Sequence, residues 1–309
     1  MRIVMLGHSN AGKTTYMSMM YQYMSGRKGH NGFRIEASDG SQHTRLLENA
    51  TAISRGKYPD PTSRRDTYNF RLYFEGRQVS DFVWADYRGG ALTERSSDED
   101  MAALLDDMKQ SDAVVVFADA HELATDPDSR RRVATLTVLL QRAIADQHKA
   151  TPVVLAYTKA DLLRKSEEWS VAVEPFEQVS RALETSSNVK GTIVTVACGQ
   201  RPKAVHVPVL WCLSHGVANK IAALREDVAY WQREADSAGK KASISNSFKS
   251  WLDSVESERK KQLRYLKEAK ERLAQLEPLL RPAEKLKGTL AKAQRKDGPP
   301  RAFRKATGR

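Results

Sequence analysis

The stretch that decides the fold is residues 1–15, MRIVMLGHSNAGKTT. It joins an apolar run of strand length to a glycine-rich turn and then to a segment with helical patterning. The turn, Gly7–Thr14, matches the pattern G-x-x-x-x-G-K-[ST]. In this arrangement, N–H groups of the turn and of the helix N-terminus surround phosphates, Lys13 contacts the outer phosphates and Thr14 binds Mg²⁺. A chance glycine turn is the alternative, and the correct order of strand, Lys-Thr pair and helix argues against it.

The same alternation of short apolar runs and longer amphipathic segments continues to about residue 215. It is typical of βα units around a mostly parallel sheet, so we predict an α/β fold. The six predicted strands are Arg2–Leu6, Asn69–Glu75, Val79–Ala85, Ala113–Ala118, Pro152–Tyr157 and Thr192–Ala197. The second and third form a hairpin, the one antiparallel step. The predicted helices are Thr14–Ser25, Glu99–Gln110, Ser129–Gln147, Ser166–Ser186 and Val207–Asp236, the last ending near Gly239.

A second motif, Asp86-Tyr87-Arg88-Gly89, closes the third predicted strand. An aspartate there holds Mg²⁺ through water, and the Gly89 N–H senses a γ-phosphate. D-x-x-G alone is a weak signal, and a structural turn is the alternative. Its place after a hydrophobic strand gives it weight, because the core then sets Asp86 beside Thr14.

A third motif, Thr158-Lys159-Ala160-Asp161, follows the fifth predicted strand. The Asp161 carboxylate can accept two hydrogen bonds from the ring N–H and amine of guanine, which adenine does not offer. Lys159 would lay its alkyl stem across the base, and Thr158 would keep one hydrogen bond that braces the loop. Ala197-Cys198-Gly199 ends the next predicted strand, where proteins that resemble this one carry a short turn over the guanine, and it is weak support by itself. A surface helix N-terminus is the alternative interpretation.

The motifs together predict one nucleotide site. The residues expected to contact nucleotide are Gly7, Asn10, Ala11, Gly12, Lys13, Thr14, Thr15, Thr158, Lys159, Asp161, Ala197 and Cys198. Those expected to act in catalysis are Lys13, Thr62 and Gly89, and those expected around the metal are Thr14, Thr62 and Asp86. Thr62 is chosen as the switch threonine over Thr44, Thr51 and Thr67. Residues 26–66, rich in Gly, Ser, Asp and Arg, are expected to be mobile until nucleotide orders them.

These motifs, in this order, resemble the TRAFAC class of P-loop GTPases over about residues 1–225. The resemblance implies a Ras-like fold, GTP/GDP and Mg²⁺ as ligands, and a protein effector or activating partner. Asn10 resembles the loop Asn of Era-like proteins, which adds K⁺ as a second cation. Bacterial GTPases of conflict or defence systems are one home that the resemblance suggests. Gly90 replaces the water-orienting Gln of Ras-like proteins, so hydrolysis is expected to be slow without a partner.

Charge divides the chain of 309 residues into two parts. Residues 238–309 contain 20 of the 50 Lys and Arg but only 8 of the 38 Asp and Glu, so the net charge of +12 lies in this segment. We predict a G domain over 1–237 and a basic helical or coiled-coil extension over 238–309 with a disordered end. Its stripe would be Trp251, Val255, Leu263, Leu266, Leu273, Leu276 and Leu280. Simple solvent exposure of the charged face is the commonest explanation of such a helix, and packing on the G domain, pairing with a second copy, binding to an anionic membrane and binding to nucleic acid also remain open.

The remaining sequence features limit the function classes. Two cysteines in 309 residues fit a reducing compartment and give no metal-binding spacing, so we expect a cytoplasmic protein. His8 is treated as structural. Our interpretation is a regulatory GTPase that signals through its switch loops and tail. The alternatives are a scaffold that binds guanine nucleotide without hydrolysis and a P-loop ATPase. Deletion of residues 281–309 is expected to leave nucleotide affinity unchanged.

Overall fold

The computed structural model describes residues 1–26, 29–59, 66–86, 102, 106–145, 151–186, 189–244, 248–296 and 299–307. Within these residues one sheet has the strand order β2-β3-β4-β1-β5-β6-β7. The strands are β1 Arg2–Leu6, β2 Phe33–Ala37, β3 Asp66–Phe74, β4 Arg77–Asp86, β5 Ala113–Asp119, β6 Thr151–Thr158 and β7 Val189–Thr195. Among them, β3 alone runs in the opposite direction to the other six strands, so its pairings with β2 and β4 are antiparallel and all other pairings are parallel. The α/β class is confirmed, whereas the predicted count of six strands is wrong, since β2 is a seventh.

The helices are α1 Lys13–Ser25, α2 Gly40–Ser54, α3 Ala120–Thr125, α4 Pro127–Ala145, α5 Ser166–Val173, α6 Glu177–Thr185, α7 Val207–Ile244, α8 Phe248–Lys296 and α9 Arg301–Thr307. The predicted helix Ser166–Ser186 is divided by a 3₁₀ turn at Glu174–Phe176, where Pro175 cannot donate a helical hydrogen bond. Half of the predicted helix Glu99–Gln110 lies outside the described residues, and residues 106–110 are helical.

Residues 33–54 correct the expectation of a mobile segment between residues 26 and 66. Alternation along β2 buries Phe33 and Ile35, and β2 pairs with β3 at the edge of the sheet. The side chain of Asp39 then accepts hydrogen bonds from Ser41 N and Gln42 N and caps α2. The Gln42 side chain reaches β3 through Thr67 O at 3.3 Å and Asn69 N at 3.2 Å. A strand and a capped helix therefore precede residues 60–65.

The chain divides into two compact units, Met1–Gly216 with Leu286–Arg309, and Val217–Lys285. The predicted boundary at residue 237/238 lies within α7 and stays a prediction. Among the described helices, one segment, Val207–Lys241, is long and apolar enough to cross a membrane by length and composition, and 56% of its apolar window is buried inside the structure.

The first unit includes the end of the chain, which the sequence predicts to be disordered. Residues Arg301–Thr307 instead form α9, and Phe303 is only 1% exposed. Its ring packs edge-on against Trp169 of α5, with centroids 5.0 Å apart, and 5.9 Å from the ring of Tyr157 on β6. A single buried aromatic residue thus anchors a helix that composition alone marks as polar and basic.

The second unit is an antiparallel pair formed by the later part of α7 and the earlier part of α8. Trp231 stacks on Tyr265 with centroids 5.5 Å apart. The predicted helix end at Gly239 is wrong: α7 continues to Ile244, and a Cβ at Gly239 would lie 2.7 Å from the Gln262 amide nitrogen. The glycine serves close helix approach rather than helix termination.

Candidate functional site

The phosphate-binding loop lies between β1 and α1, at the carboxyl edge of the parallel strands. Gly7 has a φ of 146°, and a Cβ there would lie 2.6 Å from the Phe117 carbonyl oxygen of β5. Gly12, with a φ of 79°, is the N-cap of α1. Both positions require glycine, one for close backbone approach and one for the left-handed turn into the helix. The loop therefore leads directly into the N-terminus of α1, where backbone N–H groups can bind a phosphate.

The Lys13 ammonium lies against the backbone of this loop. Its side chain is buried, and Nζ donates hydrogen bonds to Gly7 O at 2.7 Å and His8 O at 3.1 Å. Burial lowers the pKa of Lys13, and the carboxylate of Asp86 opposes that change. A cation held by two loop carbonyls can move to an incoming phosphate, which replaces neutral acceptors with a charged one.

Asp86 stands at the end of β4, opposite Met5 of β1 in the sheet register. It is 2% exposed, and neither carboxylate oxygen has a hydrogen-bond partner among the described residues. Burial raises the pKa of Asp86 to about 7, although the Lys13 ammonium lowers it. Burial of a carboxylate that accepts no hydrogen bonds costs free energy unless a cation or a bound water interacts with it. Asp86 and the Thr14 hydroxyl, in the first turn of α1, therefore fit a Mg²⁺ ion that shares its coordination with phosphate and water.

The motif after β6 is tied directly to the phosphate-binding loop. Thr158 is buried, and its hydroxyl lies 2.9 Å from Ala11 O and 3.2 Å from Ala118 O. The bracing hydrogen bond expected of Thr158 is thus present in the structure. Lys159 has a positive φ of 53°, and its ammonium pairs with the carboxylate of Asp119. This ion pair limits the positions that the Lys159 side chain can adopt.

The structure also brings the predicted base-contacting residues together. Ala160 N donates to Val196 O at 3.3 Å, which links the turn after β6 to the segment after β7. Ala197 exchanges two backbone hydrogen bonds with Lys203, of 3.1 and 2.9 Å. Burial raises the pKa of the Cys198 thiol, and the negative charge of Asp161 adds to the increase. Asp161 is exposed, so its carboxylate is accessible to a ligand.

Two residues near the site escaped the sequence analysis. Asp119 is buried at the end of β5, where it caps α3 by accepting a hydrogen bond from Glu122 N at 3.0 Å and pairs with Lys159. Tyr58 is 60% exposed, and its hydroxyl lies 3.2 Å from where Gly199 would carry a Cβ. An acidic residue directly after a hydrophobic strand was the available signal for Asp119. Nothing in the sequence placed Tyr58 beside the segment after β7.

Several predicted positions fall elsewhere. Thr62, Gly89 and Gly90 lie outside the described residues, so their predicted roles stay predictions. The rival switch threonines occupy regular elements: Thr44 and Thr51 lie on α2, and Thr67 lies on β3. Of the other predicted contacts, Asn10 is exposed with a φ of 64° and Thr15 lies on α1, and their contact with nucleotide stays a prediction. Within the described residues no group of three or more His, Cys, Asp or Glu could hold a metal by itself.

This geometry agrees with comparison to known proteins. The family model Double-GTPase 2 matches residues 2–207. The chain belongs to the Double-GTPase 2 family. Membership supports guanine-nucleotide binding by this chain and, at the level of the Double-GTPase 2 family, GTPase activity. The match covers the loop, Asp86, the Thr158–Asp161 motif and the segment at Cys198.

Two solved structures illustrate the likeness of the Double-GTPase 2 chain to other proteins. The signal recognition particle receptor SRb-GTP/SRX complex from Chaetomium thermophilum is 12% identical, covers 69% of this chain and 96% of its own, and gives a TM-score of 0.42. The Arl6 BBS3 small GTPase from Trypanosoma brucei, with a bound nucleotide analogue, is 14% identical, covers 70% and 96%, and gives 0.38. A search of curated proteins gives no match.

Proposed function

We propose that this chain is a Mg²⁺-dependent regulatory GTPase whose nucleotide state is read by a protein partner. The observation that supports it most is the pair of buried charges at one edge of the sheet. Lys13 lies on the loop carbonyls, and Asp86 has no hydrogen-bond partner among the described residues. A phosphate with a divalent cation supplies what each lacks, an anion for Lys13 and a positive centre for Asp86.

Base selection is assigned to Asp161, with Lys159 and Asp119 in support. The exposed Asp161 carboxylate accepts from the two N–H donors on the guanine edge. Lys159 covers the base with its alkyl stem, and the ion pair to Asp119 limits the positions that this stem can adopt. Asp119 is therefore a positioning residue, which acts on the base only through Lys159.

Hydrolysis is proposed to be slow in the isolated chain. Mg²⁺, when bound by Thr14, Asp86 and the proposed Thr62, would neutralise charge on the phosphates. Lys13 and the loop N–H groups stabilise charge on the oxygens of the phosphates. Gly90 offers no side chain to orient water, so the rate is expected to depend on a partner. Single-turnover GTP hydrolysis separates a slow switch from a scaffold that binds without turnover.

The test of the base site is calorimetry of the nucleotide-free full chain with GDP and with ADP in Mg²⁺. Wild type should bind GDP and not ADP, and Asp161→Asn should lose GDP affinity by at least about 100-fold, the scale expected when a site built for hydrogen bonds loses them. The matched control is Asp236→Asn, an exposed aspartate of the second unit. Equal affinity for ADP, or no change in Asp161→Asn, would refute the proposed specificity.

A gain of affinity for a different nucleotide would show that the Asp161→Asn variant is folded. Xanthine carries a carbonyl where guanine carries its amine, and an amide can donate a hydrogen bond where a carboxylate cannot. Asp161→Asn should therefore bind XDP more tightly than GDP, while wild type and Asp236→Asn show the reverse order. Loss of both GDP and XDP binding would indicate that the variant is misfolded, and only a reversed preference for XDP would support the specificity assigned to Asp161.

The basic end of the chain is proposed to contact the partner. Residues 286–309 contain eight Lys and Arg against one Asp. Phe303 faces the core, so the charged positions of α9 are left for an acidic surface, either of a protein or of a phosphate-rich membrane or nucleic acid. Exposed Arg304 and the neighbouring Lys305 can be changed to Gln without touching this anchor. The double variant should lose salt-sensitive binding to such a surface and keep its GDP affinity.

A further inference from the structure

Helix α8 carries two stripes of residues on neighbouring faces, one buried and one exposed. From the sequence alone, the leucines of both faces are predicted as a single stripe. The face that contacts α7 within the second unit alternates steps of three and four residues. Its buried or half-buried members are Gln262, Tyr265, Ala269, Arg272, Leu276 and Leu279. The second face, which we call the leucine stripe, consists of Leu263, Leu266, Leu273 and Leu280. These four follow the buried face by one residue at each step, which is about 100° around the helix.

The leucine stripe is exposed. Leu263 is 68% exposed, Leu266 47%, Leu273 40% and Leu280 39%. Ten large apolar side chains are exposed among the described residues, and four of them form this single line. Scattered exposed leucines need no explanation, but four on one face of one helix indicate an interaction surface. From Leu266 to Leu280 the line spans about 21 Å, at 1.5 Å per residue.

The spacing selects a helix as the occupant. Leu266, Leu273 and Leu280 recur every seven residues, the period at which one helix presents the same face to another helix. An extended peptide or a flat sheet edge does not match this period. The partner is therefore a helix with apolar residues at a matching interval, and α8 of a second copy supplies that interval.

Charge decides the direction of the partner helix. Lys270 and Glu277 interrupt the stripe, three residues before and four residues after Leu273. In a parallel pair in register, each would face its own copy, and like charges repel. In an antiparallel pair centred on Leu273, Lys270 of one copy lies near Glu277 of the other. The same alignment places Leu266 near Leu280, so apolar and charged positions match together.

We infer that the leucine stripe of α8 binds the same stripe of a second copy, with the two helices antiparallel and Leu273 at the two-fold axis. Such an interface is self-complementary, as a two-fold dimer requires. The inference does not depend on nucleotide binding, so it stands or fails separately from the proposed GTPase function.

Cysteine cross-linking of the full chain tests the alignment. In an antiparallel dimer an identical residue meets itself only at the axis, so Leu273→Cys should form a disulfide-linked dimer under mild oxidation. Leu266→Cys and Leu280→Cys should each stay monomeric alone and cross-link when mixed. The two native cysteines are buried, so they should form few disulfides of their own in this assay. The matched control is Val138→Cys, an exposed apolar position on α4. Cross-linking of all three variants with themselves would overturn the antiparallel direction.

Sedimentation equilibrium tests whether the leucines and the charged pair stabilise the dimer. Wild type should be dimeric at micromolar concentration, and Leu266→Gln with Leu273→Gln should weaken the dimer at least about tenfold, because exposed apolar surface no longer becomes buried. Val138→Gln should change nothing. Lys270→Glu and Glu277→Lys should each weaken the dimer, and the double exchange should restore it. Unchanged circular dichroism and GDP affinity would show that the variants fold. A monomeric wild type, or a dimer indifferent to the leucine changes, would refute the inference.

Discussion

Phe303→Ala should destabilise the first unit, although the residue lies only six positions before Arg309. The ring is 1% exposed and packs between Trp169 and Tyr157. Removal of such a ring costs about 3–5 kcal/mol, from lost apolar transfer and the cavity that remains. At about 2–4 °C per kcal/mol for a domain of this size, the melting temperature should fall by about 6–20 °C.

Nucleotide affinity should fall with it, because Tyr157 directly precedes Thr158 and Trp169 lies on the helix after the base motif. This corrects the expectation from sequence that deletion of residues 281–309 leaves nucleotide affinity unchanged, since that segment contains a core residue of the first unit. Thermal unfolding by circular dichroism and GDP titration at low temperature measure the two effects. Phe303→Leu keeps most of the volume and should show less than half of the loss, and exposed Arg304→Ala should show none. If Phe303→Ala left the melting temperature within about 2 °C of wild type, α9 would not be anchored as described.

Three further changes test the site. Lys13→Ala should weaken GDP binding by at least about 100-fold in calorimetry, because the phosphate loses its charge-assisted donor, while the melting curve persists; near-wild-type affinity would refute the phosphate assignment. Asp119→Asn should weaken GDP and IDP by about the same factor, roughly tenfold, since it acts on Lys159 and not on the guanine amine; a changed ratio would contradict positioning. Burial, with help from the Lys13 and Arg132 charges, lowers the pKa of His8 to about 4. At His8 the native state then binds fewer protons than the unfolded state between pH 4 and 6.5, so His8 should add a slope that lowers stability by up to about 3 kcal/mol as pH drops through this range, against the opposite slope of Asp86, whose pKa is raised. Urea unfolding of His8→Gln should lack that slope, and a slope equal to wild type would contradict this origin.

The nucleotide site was largely predictable because its signals are local. Gly7, Gly12 and Lys13 are fixed by the demands of one turn on backbone conformation and charge. Asp86 and Thr158 each follow an apolar strand, and parallel strands bring their carboxyl ends to one edge. The structure places all five at that edge. The roles of Thr62 and Gly89 are outside the described residues and remain predictions.

The segment with β2 and α2 was not predicted. Five residues of alternation at Phe33–Ala37 are too few to stand out from a Gly- and Ser-rich background. The strand is stable because β3 offers it a free edge, and α2 is held through Gln42 to that same strand. Both causes are contacts with residues about thirty positions further along the chain, which local patterning does not contain.

The sequence alone determined the α/β class, the phosphate-binding loop and the order of the nucleotide motifs, since hydrophobic period and glycine placement are properties of neighbouring residues. Only the tertiary structure decided which leucines of α8 are buried, that Gly239 continues a helix and that Phe303 anchors the end of the chain. In each of these cases the sequence shows an apolar or small residue at an acceptable helical position. Whether that position is covered depends on a partner surface far away in the chain, and burial is set by that surface rather than by the residue.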